Sequence, residues 1–153
     1  MNNIHKIIAT SFGLGYIPWA PGTFGALLGA LLVWITYSFS LDFLSNTLII
    51  IGLSVFSYII GVWSTKKLSA EWGDDPSKVV MDETCGMLIT MVAVDFSLMS
   101  LGLGFVLFRF YDIVKPMGIR KLDNMKGAHY VMLDDVLAGI YANVTLQLIL
   151  KLI

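Results

Sequence analysis

The chain has 153 residues, of which 57% are hydrophobic and 14% charged, and its formal net charge is −1. Soluble domains usually carry about 25% charged residues, so this chain lacks the polar surface to cover itself in water. The near-neutral charge argues against nucleic acid as a partner. A single cysteine, Cys85, excludes an internal disulfide and a cysteine-based metal cluster. We expect one domain over residues 1–153, of the all-α membrane class.

Four apolar segments follow one another along the chain. They cover residues 23–39, 43–63, 86–108 and 136–153. A membrane-spanning helix needs about 20 apolar residues, which the second segment has and which the first and fourth approach. The third is interrupted by Asp95 and by the serines and glycines of "SLMSLGLG". It is therefore either one span or a hairpin of two shorter helices.

The basic residues decide between these two readings. The polar stretches 1–22, 64–85 and 109–135 hold nine of the ten Lys and Arg residues, and the breaks near Asp42 and Asp95 hold none. Basic loops mark the cytoplasmic side of a membrane. All nine share that side only if the chain folds back near Asp95. We therefore predict two helical hairpins and a final helix, with every polar motif loop at one face, the cytoplasmic face.

The glycine-rich stretch "GLGYIPWAPGTFG", residues 13–25, leads into the first apolar segment. Thr23 is the predicted N-cap of the first long helix. Backbone N–H groups around it are candidates for binding an anionic substrate. Gly25 and Gly29 form a small-xxx-small step, which is typical of close helix packing.

Five acidic residues stand where a polar loop meets an apolar segment. They are Asp82 and Glu83 in "VVMDETCG", Asp112 in "FRFYDIVKP", and Asp134 and Asp135 in "VMLDDVLAG". A helix N-terminus stabilises acidic residues and accounts for either pair alone. It does not explain why all five converge on one face. A divalent cation does, since Mg²⁺ takes hard oxygen ligands, and we predict that Asp82, Glu83, Asp134 and Asp135 bind it.

The stretch "FRFYDIVKP" places charges three residues apart, at Arg109, Asp112 and Lys115. On a helix these positions share one face. Arg offers a planar fork for phosphate oxygens and Lys a mobile point charge. Alternatively, the two cations reach toward lipid headgroups and pair with Asp112 along the helix. Carboxylates beside phosphate-binding cations favour metal-assisted phosphoryl chemistry.

Four further residues have competing or structural interpretations. His129, five residues before Asp134, is either a proton donor to a leaving oxygen or an ordinary loop residue. Cys85 is expected to be a buried thiol. Asp74 and Asp75 are expected to shape a turn before Pro76.

Four blocks together resemble the phosphatidylglycerophosphatase A family. They are "GLGYIPWAPGTFGALLG", "DDPSKVVMDETCG", "FRFYDIVKP" and "VMLDDVLAG", in that family's order. The resemblance implies an all-helical, Mg²⁺-dependent phosphatase of the bacterial inner membrane that converts phosphatidylglycerophosphate to phosphatidylglycerol. It also implies that the active site contains Asp82, Glu83, Arg109, Asp112, Lys115, Asp134 and Asp135. Gly118, where the family usually has proline, and "GAHY" at 127–130, where it favours a glycine-rich loop, depart from the pattern.

The expected reaction is phosphomonoester hydrolysis at the membrane surface. The nucleophile is either a water activated at the metal or an aspartate that forms an aspartyl-phosphate. Two alternatives are a small membrane cation transporter, since intramembrane carboxylates can line ion paths, and a phosphatase of another lipid phosphate.

Overall fold

The computed structural model describes residues 2–39, 41–73, 76–116 and 118–152. All regular structure in these ranges is helical, which confirms the predicted all-α class. The elements are α1 (Asn2–Ala9), a 3-10 turn (Leu14–Tyr16), α2 (Pro21–Ser38), α3 (Phe43–Trp72), α4 (Met81–Thr90), α5 (Leu98–Val114), α6 (Ile119–Asp123) and α7 (Ala128–Leu152).

Among the described residues, three helices, α2, α3 and α7, are long and apolar enough to cross a membrane, judged by length and composition. Helix α3 begins at the N-cap Asp42, whose carboxylate accepts from the backbone N–H of Ser45 at 3.0 Å. Its 30 residues extend about 45 Å, which exceeds the hydrocarbon thickness of about 30 Å. The excess carries Lys66 and Lys67 beyond the apolar part, so this helix is longer than the predicted segment 43–63.

The third apolar segment folds back, as predicted from the basic residues. Helix α4 ends at Thr90 and α5 begins at Leu98, after a capping box of Ser97 and Ser100. The start of α4 and the end of α5 meet beside Gly22. A Cβ built on Gly22 would lie 2.1 Å from Oε1 of Glu83 and 3.2 Å from Nη1 of Arg109. The hairpin near Asp95 is confirmed, and the single-span alternative is wrong.

Helix α4 is the central element of the bundle. Eight of its ten residues are buried, and α2, α3, α5 and α7 pack around it. Helix α2 approaches it through the predicted small residues. A Cβ on Gly25 would lie 2.5 Å from the carbonyl oxygen of Val80, and one on Gly29 would lie 2.7 Å from that of Thr84. Backbone contact this close requires glycine, so the predicted packing role is confirmed.

The turn between α4 and α5 has its backbone carbonyls paired by side chains. The Asn143 amide donates to the carbonyls of Thr90 and Val92 at 2.9 and 2.8 Å. The Tyr37 hydroxyl donates to the carbonyl of Val94 at 2.8 Å. A buried carbonyl group without a hydrogen-bond partner costs free energy, so these contacts stabilise the end of α4 and the turn that follows it.

Helix α7 begins earlier than the predicted segment 136–153. It starts at Ala128, so Asp134 and Asp135 lie beyond its first turn. A helix dipole acts within the first turn. The N-terminal explanation therefore fails for this pair, whereas it holds for Asp82 and Glu83, which lie in the first turn of α4.

Gly139 sets the distance between α7 and α4. A Cβ there would lie 2.5 Å from the carbonyl oxygen of Gly86 and 3.2 Å from its carbonyl carbon. These are backbone atoms of a buried helix, and they cannot move away as a flexible side chain could. Gly139→Ala is therefore expected to destabilise the protein by about 1–3 kcal/mol through overpacking.

Thermal unfolding in detergent measures this effect. Gly102→Ala is the matched control, because a Cβ at that helical position meets no atom within 4 Å. Equal melting temperatures for the two variants would show that the α4–α7 packing is not this tight.

Candidate active site

A cavity of about 310 Å³ lies at the end of the bundle where α2, α4 and α7 begin and α5 ends. All seven charged residues predicted for the site line it: Asp82, Glu83, Arg109, Asp112, Lys115, Asp134 and Asp135. Residues far apart in the sequence thus share one polar chamber. The polar motif loops meet at one end of the molecule, as predicted.

Three carboxylates form the tightest cluster of the chamber, named here the carboxylate triad. Asp82, Glu83 and Asp135 each place an oxygen within 4.8 Å of the other two. Burial raises the pKa of Asp82, and the negative charge of Glu83 adds to that effect. Oε2 of Glu83 is buried and has no hydrogen-bond partner. Such a donor set can hold a divalent cation, which would offset the repulsion.

Asp134 does not belong to the triad. Its Oδ2 accepts from the Lys115 ammonium at 2.7 Å, while its Oδ1 is buried without a partner. Neighbouring helix positions are separated by about 100°, so two adjacent aspartates face different surroundings. The structure brings together three of the four predicted metal ligands and pairs the fourth with a lysine. A metal-binding role for Asp134 stays a prediction.

Arg109 is ion-paired with Asp112 one turn further along α5. This is the intrahelical pairing expected as the alternative reading. The pair does not use all of the guanidinium, because Nε of Arg109 is buried with no partner. Arg109 therefore retains one unpaired hydrogen-bond donor.

Lys115 does not continue the helical face of Arg109 and Asp112, which corrects the sequence prediction. Helix α5 ends at Val114, and Lys115 caps it in a left-handed conformation with φ 48° and ψ 54°. Pro116 follows directly, and a residue before proline disfavours the helical conformation. The side chain consequently reaches α6 and α7 rather than Asp112.

Two carboxylates hold the Lys115 ammonium, those of Asp123 and Asp134. Burial by itself would lower the pKa of Lys115, but the hydrogen bonds to the two carboxylates outweigh it and raise the pKa. Lys115 is therefore a permanent cation. Asp123 was missed by sequence reasoning, since it lies between two motif blocks in a helix of only five residues.

Thr23 does not line the chamber. Helix α2 begins at Pro21 with Ala20 as its N-cap, so the predicted capping role of Thr23 is wrong. Proline at the first position of a helix explains the earlier start, because its missing N–H would have no helical partner there. Ala20, Pro21 and Gly22 line the chamber instead.

His129 lies in the first turn of α7, not in a loop, and outside the chamber lining. Its Nδ1 is 3.2 Å from the hydroxyl of Tyr58. This position gives no support to the proton-donor hypothesis. Cys85 is buried and its thiol donates to the carbonyl of Ser54 at 3.4 Å, as predicted for a structural thiol. Asp74 and Asp75 lie outside the described residues.

Gly22 allows α2 to contact the triad directly. An added Cβ would lie 2.1 Å from Oε1 of Glu83, the end of a side chain that can rotate away. Gly22→Ala is therefore expected to cost little stability and to lower phosphatase activity about 10- to 100-fold by displacing Glu83. Steady-state activity with a melting curve checks this. Activity equal to that of the wild type would show that Glu83 has room to move without consequence.

The chain is similar to known proteins over most of its length. The family described as Phosphatidylglycerophosphatase A matches residues 7–150. A Haemophilus influenzae protein named phosphatidylglycerophosphatase A is 37% identical over 145 residues, which cover 93% of this chain and 85% of that protein. The Escherichia coli protein of the same name is 34% identical over 143 residues, 92% of this chain and 80% of its own length.

A further relative carries a different name. A Bacteroides thetaiotaomicron protein named "Putative phosphatidylinositol-3-phosphatase" is 45% identical over 139 residues, 89% of this chain and 87% of that protein. No solved structure matches the chain.

The family match covers nearly the whole sequence and includes every residue of the charged chamber. The chain therefore belongs to the phosphatidylglycerophosphatase A family, a family of membrane-bound phosphoric monoester hydrolases.

Proposed function

We propose that this protein is a Mg²⁺-dependent lipid phosphatase of the bacterial inner membrane. Its substrate is phosphatidylglycerophosphate, and its products are phosphatidylglycerol and phosphate. The observation that carries the proposal is the carboxylate triad beside two cations, Arg109 and Lys115, in one chamber at the polar end of an apolar helix bundle. The names of the H. influenzae and E. coli relatives support this choice of substrate.

The residues of the triad fit Mg²⁺. They supply three hard oxygen donors within 4.8 Å, and one buried oxygen of Glu83 has no partner within the protein. Mg²⁺ in phosphate-handling sites typically uses one or two carboxylates and leaves positions for water and phosphate oxygens. Asp82, Glu83 and Asp135 would therefore hold the ion. When bound, it supplies stabilisation of negative charge and activation of water.

Arg109 and Lys115 stabilise the phosphoryl group during its transfer. In hydrolysis a water oxygen bonds to phosphorus, the bond from phosphorus to the headgroup oxygen breaks, and that oxygen takes up a proton. Negative charge spreads over the three remaining phosphoryl oxygens, and fixed cations lower its energy. Asp112 orients the guanidinium of Arg109, while the ammonium of Lys115 is held by Asp123 and Asp134.

The active site faces the cytoplasm in this proposal. Nine of the ten Lys and Arg residues belong to the polar stretches at the chamber end of the bundle, and Lys151 lies at the opposite end. The distribution supports a cytoplasmic chamber. Between the ends, residues 23–41, 43–65, 84–94, 96–108 and 136–150 contain no Asp, Glu, Lys or Arg. A cation transporter would be expected to have ionisable side chains along its path through the membrane, so this distribution argues against that alternative.

Cysteine labelling in intact cells tests the orientation. Asp95→Cys lies in the α4–α5 turn and Lys121→Cys on α6, at opposite ends, and the native Cys85 is buried. An impermeant thiol reagent added outside the cells should label the Asp95→Cys variant and should not label the Lys121→Cys variant. Labelling of Lys121→Cys but not of Asp95→Cys would show that the chamber faces the outside of the membrane.

A second candidate substrate comes from the B. thetaiotaomicron relative, whose name specifies a 3-phosphate on phosphatidylinositol. The two substrates share a membrane anchor and a terminal phosphomonoester and differ in the headgroup. The test compares phosphate release from phosphatidylglycerophosphate, from phosphatidylinositol 3-phosphate and from soluble glycerol 3-phosphate by purified protein in detergent. A higher kcat/KM for the first lipid supports the proposal, and a higher value for the inositol lipid replaces it. Preference for the soluble ester would contradict both.

A further inference from the structure

The Lys115 ammonium forms ion pairs with carboxylates from two different elements. Asp123 reaches it from α6, and Asp134 reaches it from α7 at 2.7 Å. A lysine side chain has a flexible four-carbon stem and by itself holds no fixed position. Two carboxylates from different elements restrict its position without a ligand. Lys115 is therefore preorganised at the wall of the chamber.

The position of Asp123 is itself well determined. Gly118 precedes α6 with φ +94°, a conformation that favours glycine, and Ile119 anchors the helix with a fully buried side chain. Nη2 of Arg120 donates to the carbonyl of Val114 at 3.2 Å, which ties α6 to the end of α5. Asp123 thus extends from a fixed support toward Lys115, and it lines the chamber.

Asp134 by itself would hold Lys115 differently. It neighbours Asp135 of the triad, and a lysine bound to Asp134 alone would be free to swing toward those carboxylates, where opposite charge attracts it. Asp123 lies on another element and binds the same ammonium, which restricts its movement from Asp134 toward the triad. The cationic side of the chamber is in this way kept apart from the triad.

From this geometry we propose that Asp123 is a positioning residue, which holds the Lys115 ammonium where the phosphoryl oxygens of the substrate bind. The inference rests on the proposed function and adds one residue to its machinery. A preorganised cation stabilises developing charge without reorganising during the reaction. Asp123 acts through Lys115 and not on the substrate.

The test compares Asp123→Asn and Asp123→Glu with the wild type in Mg²⁺-dependent phosphate release from phosphatidylglycerophosphate. Asp123→Asn is expected to lower kcat/KM about 10- to 100-fold, the usual effect of removing a partner that orients a functional group. Asp123→Glu keeps the charge and should restore most of the loss. The Mg²⁺ concentration for half-maximal activity should change less than about two-fold in both, because the triad is untouched.

A double-mutant cycle shows whether Asp123 affects activity through Lys115. If Asp123 works only through Lys115, adding Asp123→Asn to Lys115→Met should lower activity no further than Lys115→Met alone. Melting curves in detergent show whether each variant is folded. A folded Asp123→Asn with wild-type kcat/KM would overturn the inference.

Two other results would also overturn it. A shifted Mg²⁺ requirement in Asp123→Asn would assign the residue to metal binding. Equal losses in the Asn and Glu variants, together with lowered melting temperatures, would assign it to folding. Phosphate release by the wild type distinguishes a failure of this inference from a failure of the proposed function on which it rests. If the wild type is active and Asp123 is dispensable, only the inference fails, whereas a folded wild type that releases no phosphate from either lipid removes both.

Discussion

Asp135→Asn is expected to lower kcat/KM for phosphate release by roughly 100- to 1000-fold, the range seen when one preorganised stabilising group is lost. Asp135 is 3% exposed and is the only member of the carboxylate triad that α7 contributes. The amide keeps the shape of the side chain and removes its charge. The triad then holds a cation with two carboxylates, so the Mg²⁺ concentration for half-maximal activity should rise as well.

Asp134→Asn is the matched control, because it makes the same chemical change one position away. Asp134 binds Lys115, and its oxygens do not belong to the triad. This variant should lose activity through Lys115 while its Mg²⁺ requirement stays near that of the wild type. A raised Mg²⁺ requirement in Asp134→Asn and an unchanged one in Asp135→Asn would show that the two aspartates have the opposite roles.

Arg109→Lys is expected to be nearly as damaging, with kcat/KM lowered about 100-fold although the charge is kept. The guanidinium pairs with Asp112 through Nη1 and holds a second donor, Nε, buried without a partner. A lysine ammonium has a shorter reach and cannot both pair with Asp112 and present a second donor at the position of Nε. The loss should appear in kcat more than in KM if Arg109 contributes chiefly in the transition state.

Arg120→Lys on α6 serves as the control for the Arg109 variant. Its contact is a hydrogen bond to the carbonyl of Val114, and its side chain does not line the chamber. Steady-state kinetics of the two variants should therefore differ by more than tenfold in kcat/KM. Similar values would mean that Arg109 acts only as a positive charge at the membrane surface.

Much of this architecture could be predicted from the residue pattern alone. The fold-back near Asp95 followed from the positions of Lys and Arg, because a single span would have divided them between two faces. The close approach of Gly25 and Gly29 followed from their spacing. Seven of the eight charged residues that line the chamber were identified in advance, since acidic and basic groups at the edge of apolar helices require compensation.

Other features depend on tertiary contacts that no local pattern contains. The start of α7 at Ala128 was missed because His129, Asp134 and Asp135 interrupt the apolar pattern before Val136. Gly127 adopts φ +118° directly before the helix begins. Asp123 was missed because a five-residue helix has no usable periodicity. The separate partners of Asp134 and Asp135 depend on which elements pack against each side of α7, and adjacency in sequence hides that difference.

Phosphate release from phosphatidylglycerophosphate by detergent-purified protein, first with EDTA and then with Mg²⁺ restored, tests the central claim most directly. Release should stop in EDTA, return with Mg²⁺, and be roughly 100- to 1000-fold lower in a folded Asp135→Asn variant at the same Mg²⁺ concentration. Release that persists at the wild-type rate in EDTA, or in Asp135→Asn, would contradict a reaction that depends on a cation held by Asp82, Glu83 and Asp135.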